Sequence, residues 1–181
     1  LASKIYYPNL VDRSDVIVGK GAIKHSLTNP DTFFSAFKRG MDDNAPYERT
    51  DGSITPVELS SMLLRFMLKD TVMSVEGNDF VPDGVVVSVP YYFTEPPCQN
   101  TCTALTKSLK EIYSDDLAYN DNINMRTLPE PVAAGLDYAF TEMPTNKDIK
   151  EKILIFDLGG GTFDVTIYEL KNTLSTKNLE F

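Results

Sequence analysis

The residues best equipped for chemistry lie in Ile153–Leu170, ILIFDLGGGTFDVTIYEL. Asp157 closes a short apolar run, Gly159, Gly160 and Gly161 follow, then Thr162, and a second acid stands at Asp164. Three of the ten glycines of the chain are here. Glycine tolerates positive φ and lets backbone approach a ligand closely. Successive N–H groups in such a turn make an anion-binding nest, suited to phosphate. Two carboxylates beside phosphate oxygens repel them unless a hard cation intervenes. Mg²⁺, bound through one or two carboxylates, waters and phosphates, is the usual one. The competing reading is a plain hairpin whose glycines serve only the turn.

The elements that must hold these groups follow from periodicity. Ile153–Phe156 is a continuous apolar run, as in a strand buried on both faces. From Thr162 the residues alternate, with Phe163, Val165 and Ile167 on one side and Asp164, Thr166 and Tyr168 on the other, as in a strand buried on one face. The glycines therefore join two strands.

Elsewhere, Lys4–Tyr7 and Val16–Val18 read as short strands, Lys20–Leu27 as a brief helix and Asp31–Phe37 as one further turn. Lys38-Arg39 is a basic pair in an acidic chain. Asp42–Gly52 reads as a loop. Thr55-Pro56-Val57-Glu58 has the form of a capping box with Pro at the first helical position. It opens a helix to about Met73 whose Leu59, Met62, Leu63, Phe66 and Met67 are expected in the core. Val85–Val89 is a β-branched strand closed by Pro90, and Tyr91 and Tyr92 are expected in the core or between lobes. Thr94 caps a helix to about Tyr113. Ser114–Asn124 reads as a loop and Met125–Leu128 as a strand. Val132–Phe140 reads as a helix opened by Pro129-Glu130-Pro131. Thr141–Glu151 reads as a loop able to join two lobes, and Asn172–Phe181 as a turn and a last strand. The fold class is mixed α/β with a largely buried sheet.

Composition removes several function classes. The chain has 181 residues, 42% hydrophobic and 24% charged, with a net charge of −9. An acidic balance argues against nucleic acid and anionic membrane as partners. No apolar run approaches the roughly 20 residues of a membrane helix. The start, Leu1-Ala2-Ser3-Lys4, has neither signal-peptide features nor an initiator Met, so an excised piece is expected. Cys98 and Cys102 read as reduced thiols of a cytosolic protein, since zinc would need further ligands and the single histidine, His25, is remote in sequence.

Several stretches together resemble one family, the 70-kDa heat-shock (DnaK-like) chaperones, in their nucleotide-binding domain. ILIFDLGGGTFDVTIYEL is similar to the family's second phosphate motif. VVVSVPYYF (85–93) resembles its strand-and-Pro segment, and RTLPEPVAAGLDYAF (126–140) the segment with a catalytic Glu before Pro. NPDTFFSAFKRG (29–40) is similar to the segment with its catalytic Lys, and VELSSMLLRFM (57–67) to a helix between. The matches keep the family's order and span nearly the whole chain.

This resemblance implies a partial actin-like (ribonuclease H-like) ATPase fold of the actin/hexokinase-type superfamily. The first lobe would occupy 1–145, without its opening phosphate hairpin, and the start of the second lobe 150–181. It implies catalytic roles for Lys38, Glu130, Asp157 and Thr162. It implies phosphate binding by Gly159, Gly160, Gly161 and Thr162, metal binding by Asp157 and Asp164, and an allosteric switch through Pro90 and Glu130. ATP or ADP with Mg²⁺ are the implied cofactors, with K⁺ a further candidate. Unfolded peptide, a J-domain co-chaperone and a nucleotide-exchange factor are the implied partners, in a cytoplasmic stress-response protein. From local sequence alone, a solvated pair is the favoured reading of Lys38 beside Arg39, and a helix-start acid that of Glu130; only the resemblance reverses them.

The chain also departs from the family pattern. Pro97-Cys98-Gln99 stands where a basic residue used in interdomain signalling is usual, Pro129 replaces the usual Asn, and the 107–124 region is long and polar. A divergent member is the expectation, and the 181-residue piece by itself is expected to be inactive and to bind ATP weakly. The alternatives are a non-catalytic actin-like or co-chaperone module and a small-molecule kinase of the same superfamily, although no sugar-pocket motif supports the latter.

Overall fold

The computed structural model describes residues 3–12, 15–74, 82–113, 123–142, 148–158 and 163–172. It divides into two compact units, Leu1–Val85 with Phe93–Met125, and Val86–Tyr92 with Arg126–Phe181.

The first unit opens with a three-stranded antiparallel sheet in the order β2-β1-β3, from β1 (Lys4–Tyr6), β2 (Ile17–Val18) and β3 (Phe33–Ser35). Ile5 pairs with Val18 on one side and Phe34 on the other. The expected turn at Asp31–Phe37 is therefore corrected: a short 3₁₀ helix, Pro30–Thr32, leads into a strand. The expected helix at Lys20–Leu27 is a 3₁₀ helix, Gly19–His25. The expected loop at Asp42–Gly52 contains β4 (Tyr47–Arg49), which pairs with β5 (Gly52–Ile54). Strands of three residues carry too little periodicity to be read without their partners.

α1 (Pro56–Ser74) begins as its sequence requires. The Thr55 N–H and hydroxyl donate to Glu58 Oε2, both at 2.9 Å, and the Glu58 N–H donates to Thr55 Oγ1 at 3.2 Å. Asn44 adds a cap from a distance, its Oδ1 accepting the Val57 N–H at 2.9 Å. Together these satisfy donors that the first helical turn leaves without intrahelical partners. Leu59 joins a core of Ile5, Tyr7, Phe34, Phe37 and Ile54, with Met62 and Leu63 partly buried against it. Phe66 and Met67, expected inside, are exposed: α1 is covered on two sides instead, Leu59, Met62 and Leu63 facing the first core and Val57 and Leu64 packing with Met41 and Ala104.

α2 (Glu95–Ile112) crosses α1 through small residues. The buried Ser108 hydroxyl donates to Ser61 O at 2.8 Å, and Ala104 is wholly buried. Thr94 holds the N-cap position without a side-chain capping bond. The ion pairs Arg65–Glu111 (2.6 Å) and Lys107–Glu58 (3.8 Å) flank the crossing.

β6 (Gly84–Val89) pairs with β7 (Asn124–Pro129). Their N-terminal ends meet, the Asn124 N–H donating to Asp83 O at 3.3 Å. In the second unit, α3 (Glu130–Thr141) lies on an antiparallel ladder of β8 (Ile149–Leu158) and β9 (Phe163–Asn172). Residues 149–151 of the expected 141–151 loop thus belong to β8, while the expected turn and strand over 173–181 lie outside the described residues.

The ladder corrects the reading of this hairpin. Ile153–Phe156 is not buried on both faces: Leu154 is 49% and Phe156 62% exposed. The apolar side of β9, expected inside, is outside, with Phe163, Val165 and Ile167 all exposed. α3 covers the other face, where Gly135 approaches Tyr168 and Ile155 so closely that an added Cβ would lie 3.5 and 3.6 Å from them.

Candidate functional site

The register of β8 and β9 sets the two acids against each other. Asp157 and Asp164 are direct partners in the ladder, one pair before its end at Leu158↔Phe163. Opposed residues have Cβ atoms about 4.5–5.5 Å apart on one face, and like charges there are destabilising. Both are partly buried, on the face that carries Ile155, Thr166 and Tyr168. A carboxylate pair held this way suits a hard cation with oxygen ligands. The glycine segment joins two directly paired strands, as read from sequence. Gly159, Gly160, Gly161 and Thr162 themselves lie outside the described residues.

Two contacts orient α3. Gly135 sits over Ile155, and one turn later Tyr138 donates to Glu151 Oε2 at 3.2 Å. The helix thus runs antiparallel to β8. Glu130, its first residue, begins it at the end of the hairpin that carries Asp157 and Asp164. Pro129 occupies the N-cap position with φ −57° and Pro131 is buried in the first turn, so two rings define where the helix starts. Pro90 is buried just beyond β6. The following Tyr91 lies near enough to Tyr168 that, after burial, it helps push the Tyr168 hydroxyl above the ordinary phenol range. Tyr91 and Tyr92 are not core residues; they are 66% and 49% exposed.

Lys38 belongs to the first unit. It is half-buried in a 3₁₀ helix, Phe37–Met41, between two fully buried anchors, Phe37 and Met41. Ala36 enters that helix at φ 56°, a left-handed conformation unusual for a residue with a Cβ. Asn100 of α2 donates its amide to Met41 O at 2.7 Å, and Gly40 packs so tightly that a Cβ there would lie 2.9 Å from Pro56 Cγ. Asn100, Gly40 and Asn44 support this helix and the start of α1, yet sequence reasoning missed them. Their only local signal is a small or amide side chain, which many surface positions share.

The structure therefore gathers Glu130, Asp157, Asp164 and Pro90–Tyr91 in one unit, and places Lys38 in the other on a separately braced turn. Among the described residues, no three His, Cys, Asp or Glu side chains cluster as a ready-made metal cage. No described helix is long and apolar enough to cross a membrane.

Comparison with known proteins gives the family of the chain. The family model described as Hsp70 protein matches residues 42–176. The chaperone protein DnaK of Endomicrobium trichonymphae is 34% identical over 155 residues, covering 86% of this chain and 22% of the relative. The chain belongs to the Hsp70 family, within its nucleotide-binding region. Its mixed helices and small sheets are the partial actin-like ATPase fold that the resemblance implied. Lys38 precedes the stretch matched by the family model. The chain spans about a fifth of the length of the curated relative it matches.

Proposed function

We propose that this chain supplies part of the ATP site of a chaperone ATPase. The full-length protein would bind ATP with Mg²⁺ and couple hydrolysis to cycles of grip and release on unfolded peptide. The observation that carries the reading is the directly opposed Asp157–Asp164 pair at the glycine end of the hairpin, with α3 starting at Glu130 on the same end. Opposed like charges are destabilising, and a shared cation would offset them. Mg²⁺ would supply the counter-charge that holds phosphate oxygens near carboxylates.

On this reading Asp157 and Asp164 are the metal-facing acids, and Asp157 also orients the attacking water. Gly159, Gly160, Gly161 and Thr162 present N–H groups and a hydroxyl to the phosphates. Lys38 reaches the γ-phosphate and offsets charge as it develops. Glu130 holds water at the start of α3 and, with Pro90, transmits nucleotide state. In phosphoryl transfer the protein mainly positions groups and stabilises charge, so these residue types suffice. The lobe division at 1–145 and 150–181 belongs to the same reading. So do a role for K⁺, a cytoplasmic stress-response setting, and partners in a J-domain co-chaperone and a nucleotide-exchange factor.

Single-turnover ATP hydrolysis by the full-length protein tests the assignment. Lys38→Ala is expected to slow the chemical step while leaving ATP binding largely intact; an unchanged rate would refute the role given to Lys38. For the 181-residue chain, calorimetry with ATP and Mg²⁺ is expected to show weak or no binding, and tight Mg²⁺-dependent binding would contradict that.

A further inference from the structure

One pair of thiol side chains has no part in the site above. Cys98 and Cys102 are both free and half-buried on α2. The helix is regular around them. The Cys98 N–H bonds Thr94 O at 3.3 Å, and the Thr101 and Thr106 hydroxyls donate to the carbonyls four residues back, at 2.7 and 2.9 Å. Side chains four residues apart on a helix face the same way, with Cβ atoms about 5–6 Å apart. The pair runs along the border between the buried residues of α2, such as Thr101 and Leu105, and exposed ones, such as Gln99 and Thr103. Burial, and then neighbouring Cys98, push the Cys102 thiol above its ordinary range.

This spacing separates two kinds of thiol chemistry. A direct disulfide needs Cβ atoms about 3.8 Å apart, so forming one here requires the turn to open. A single large atom between the two sulfurs spans the wider gap and leaves the helix intact. Zinc is a poor candidate, because structural zinc takes four ligands and no third His, Cys, Asp or Glu joins this pair among the described residues. Thiol ligands without oxygen or nitrogen partners select soft centres.

We infer that Cys98 and Cys102 form a dithiol site for a trivalent arsenical. With an arsine oxide, two As–S bonds form and the arsenic–oxygen bond breaks. The oxygen leaves with both thiol protons as water. Arsenic stays trivalent and no oxidant or reductant is consumed.

The test uses phenylarsine oxide on the reduced 181-residue chain, read by intact mass and far-ultraviolet circular dichroism. One phenylarsenic group should add per chain with loss of one water. It should resist excess monothiol, yield to 1,2-ethanedithiol, and leave helical signal undiminished. Cys98→Ser and Cys102→Ser should each weaken retention about 100-fold or more, the usual advantage of a second linked contact. A relocated pair, Cys102→Ser with Thr103→Cys, keeps two thiols but turns one about 100° around the helix at an exposed position. It should lose the site while the fold stays intact. Binding by either single-cysteine variant, or by the relocated pair, as tight as in the native chain would overturn the inference. Oxidation by diamide to an internal disulfide with no loss of helix would remove its geometric basis.

Discussion

Gly40→Ala probes the brace under Lys38. The added Cβ would stand 2.9 Å from Pro56 Cγ and 3.7 Å from Pro56 Cβ. Carbon atoms pack comfortably at about 3.5–4.0 Å, so the first contact is short by more than half an ångström. The obstacle cannot swing aside, because Pro56 is a ring in the first turn of α1 and that turn is held by the Thr55–Glu58 box. Overpacking of this kind costs about 1–3 kcal/mol. Gly40 has no positive φ, so alanine regains about 0.4–1 kcal/mol by restricting the unfolded chain. Mid-range values leave a net destabilisation of about 1.3 kcal/mol, which in urea lowers the midpoint by about 0.6 M for a slope of about 2 kcal/mol/M. Pro56→Ala should relieve the clash, so a double-mutant cycle of Gly40→Ala with Pro56→Ala should show favourable coupling. A Gly40→Ala chain as stable as wild type, or additive behaviour in the cycle, would refute the close-approach argument.

Three further outcomes are expected. Gly135→Ala should stabilise the chain by about 0.5–1 kcal/mol in thermal or urea unfolding, because the new methyl meets Tyr168 and Ile155 at ordinary contact distance and removes a helix-interior glycine. Glu58→Ala should cost about 1 kcal/mol by removing the acceptor for two Thr55 donors, and Glu58→Gln should cost less because it keeps one. The Asp51 carboxyl is held below the usual range, first by the Leu10 N–H donating to Oδ2 at 2.9 Å and then by Arg49 at 2.8 Å. Its folded-state affinity for protons is thus the lower one. Its contribution is present above the ordinary carboxyl range near pH 3.9 and is lost as pH falls through the folded value. Comparing the acid limb of stability in wild type and Asp51→Asn checks this, since the variant should lack that part of the pH dependence.

Much of this architecture is legible locally. The Thr55–Glu58 box, the prolines around Glu130 and the strand before Pro90 each act within a few residues, so their types suffice to locate α1, α3 and β6. That the glycines join two paired strands is also local, although the register that opposes Asp157 to Asp164 is seen only in the structure. Less legible is anything set by a distant partner. β3 exists because β1 pairs with it, and β4 because β5 does. Asn100 is an ordinary helical amide until its reach to Met41 O is seen.

The sequence alone thus determined the helices, the acid–glycine–acid hairpin and, through its ordered motifs, the family. Tertiary structure decided which side of that hairpin is covered. Alternation tells which side chains share a face of a strand, but both faces of β8 carry apolar residues. Only the docking of α3 at Gly135 shows that Ile155 and Tyr168 are covered while Phe156 and Ile167 are exposed. The same docking brings the start of α3 to the Asp157–Asp164 end, an arrangement set by contacts between residues thirteen or more positions apart, which no local pattern encodes.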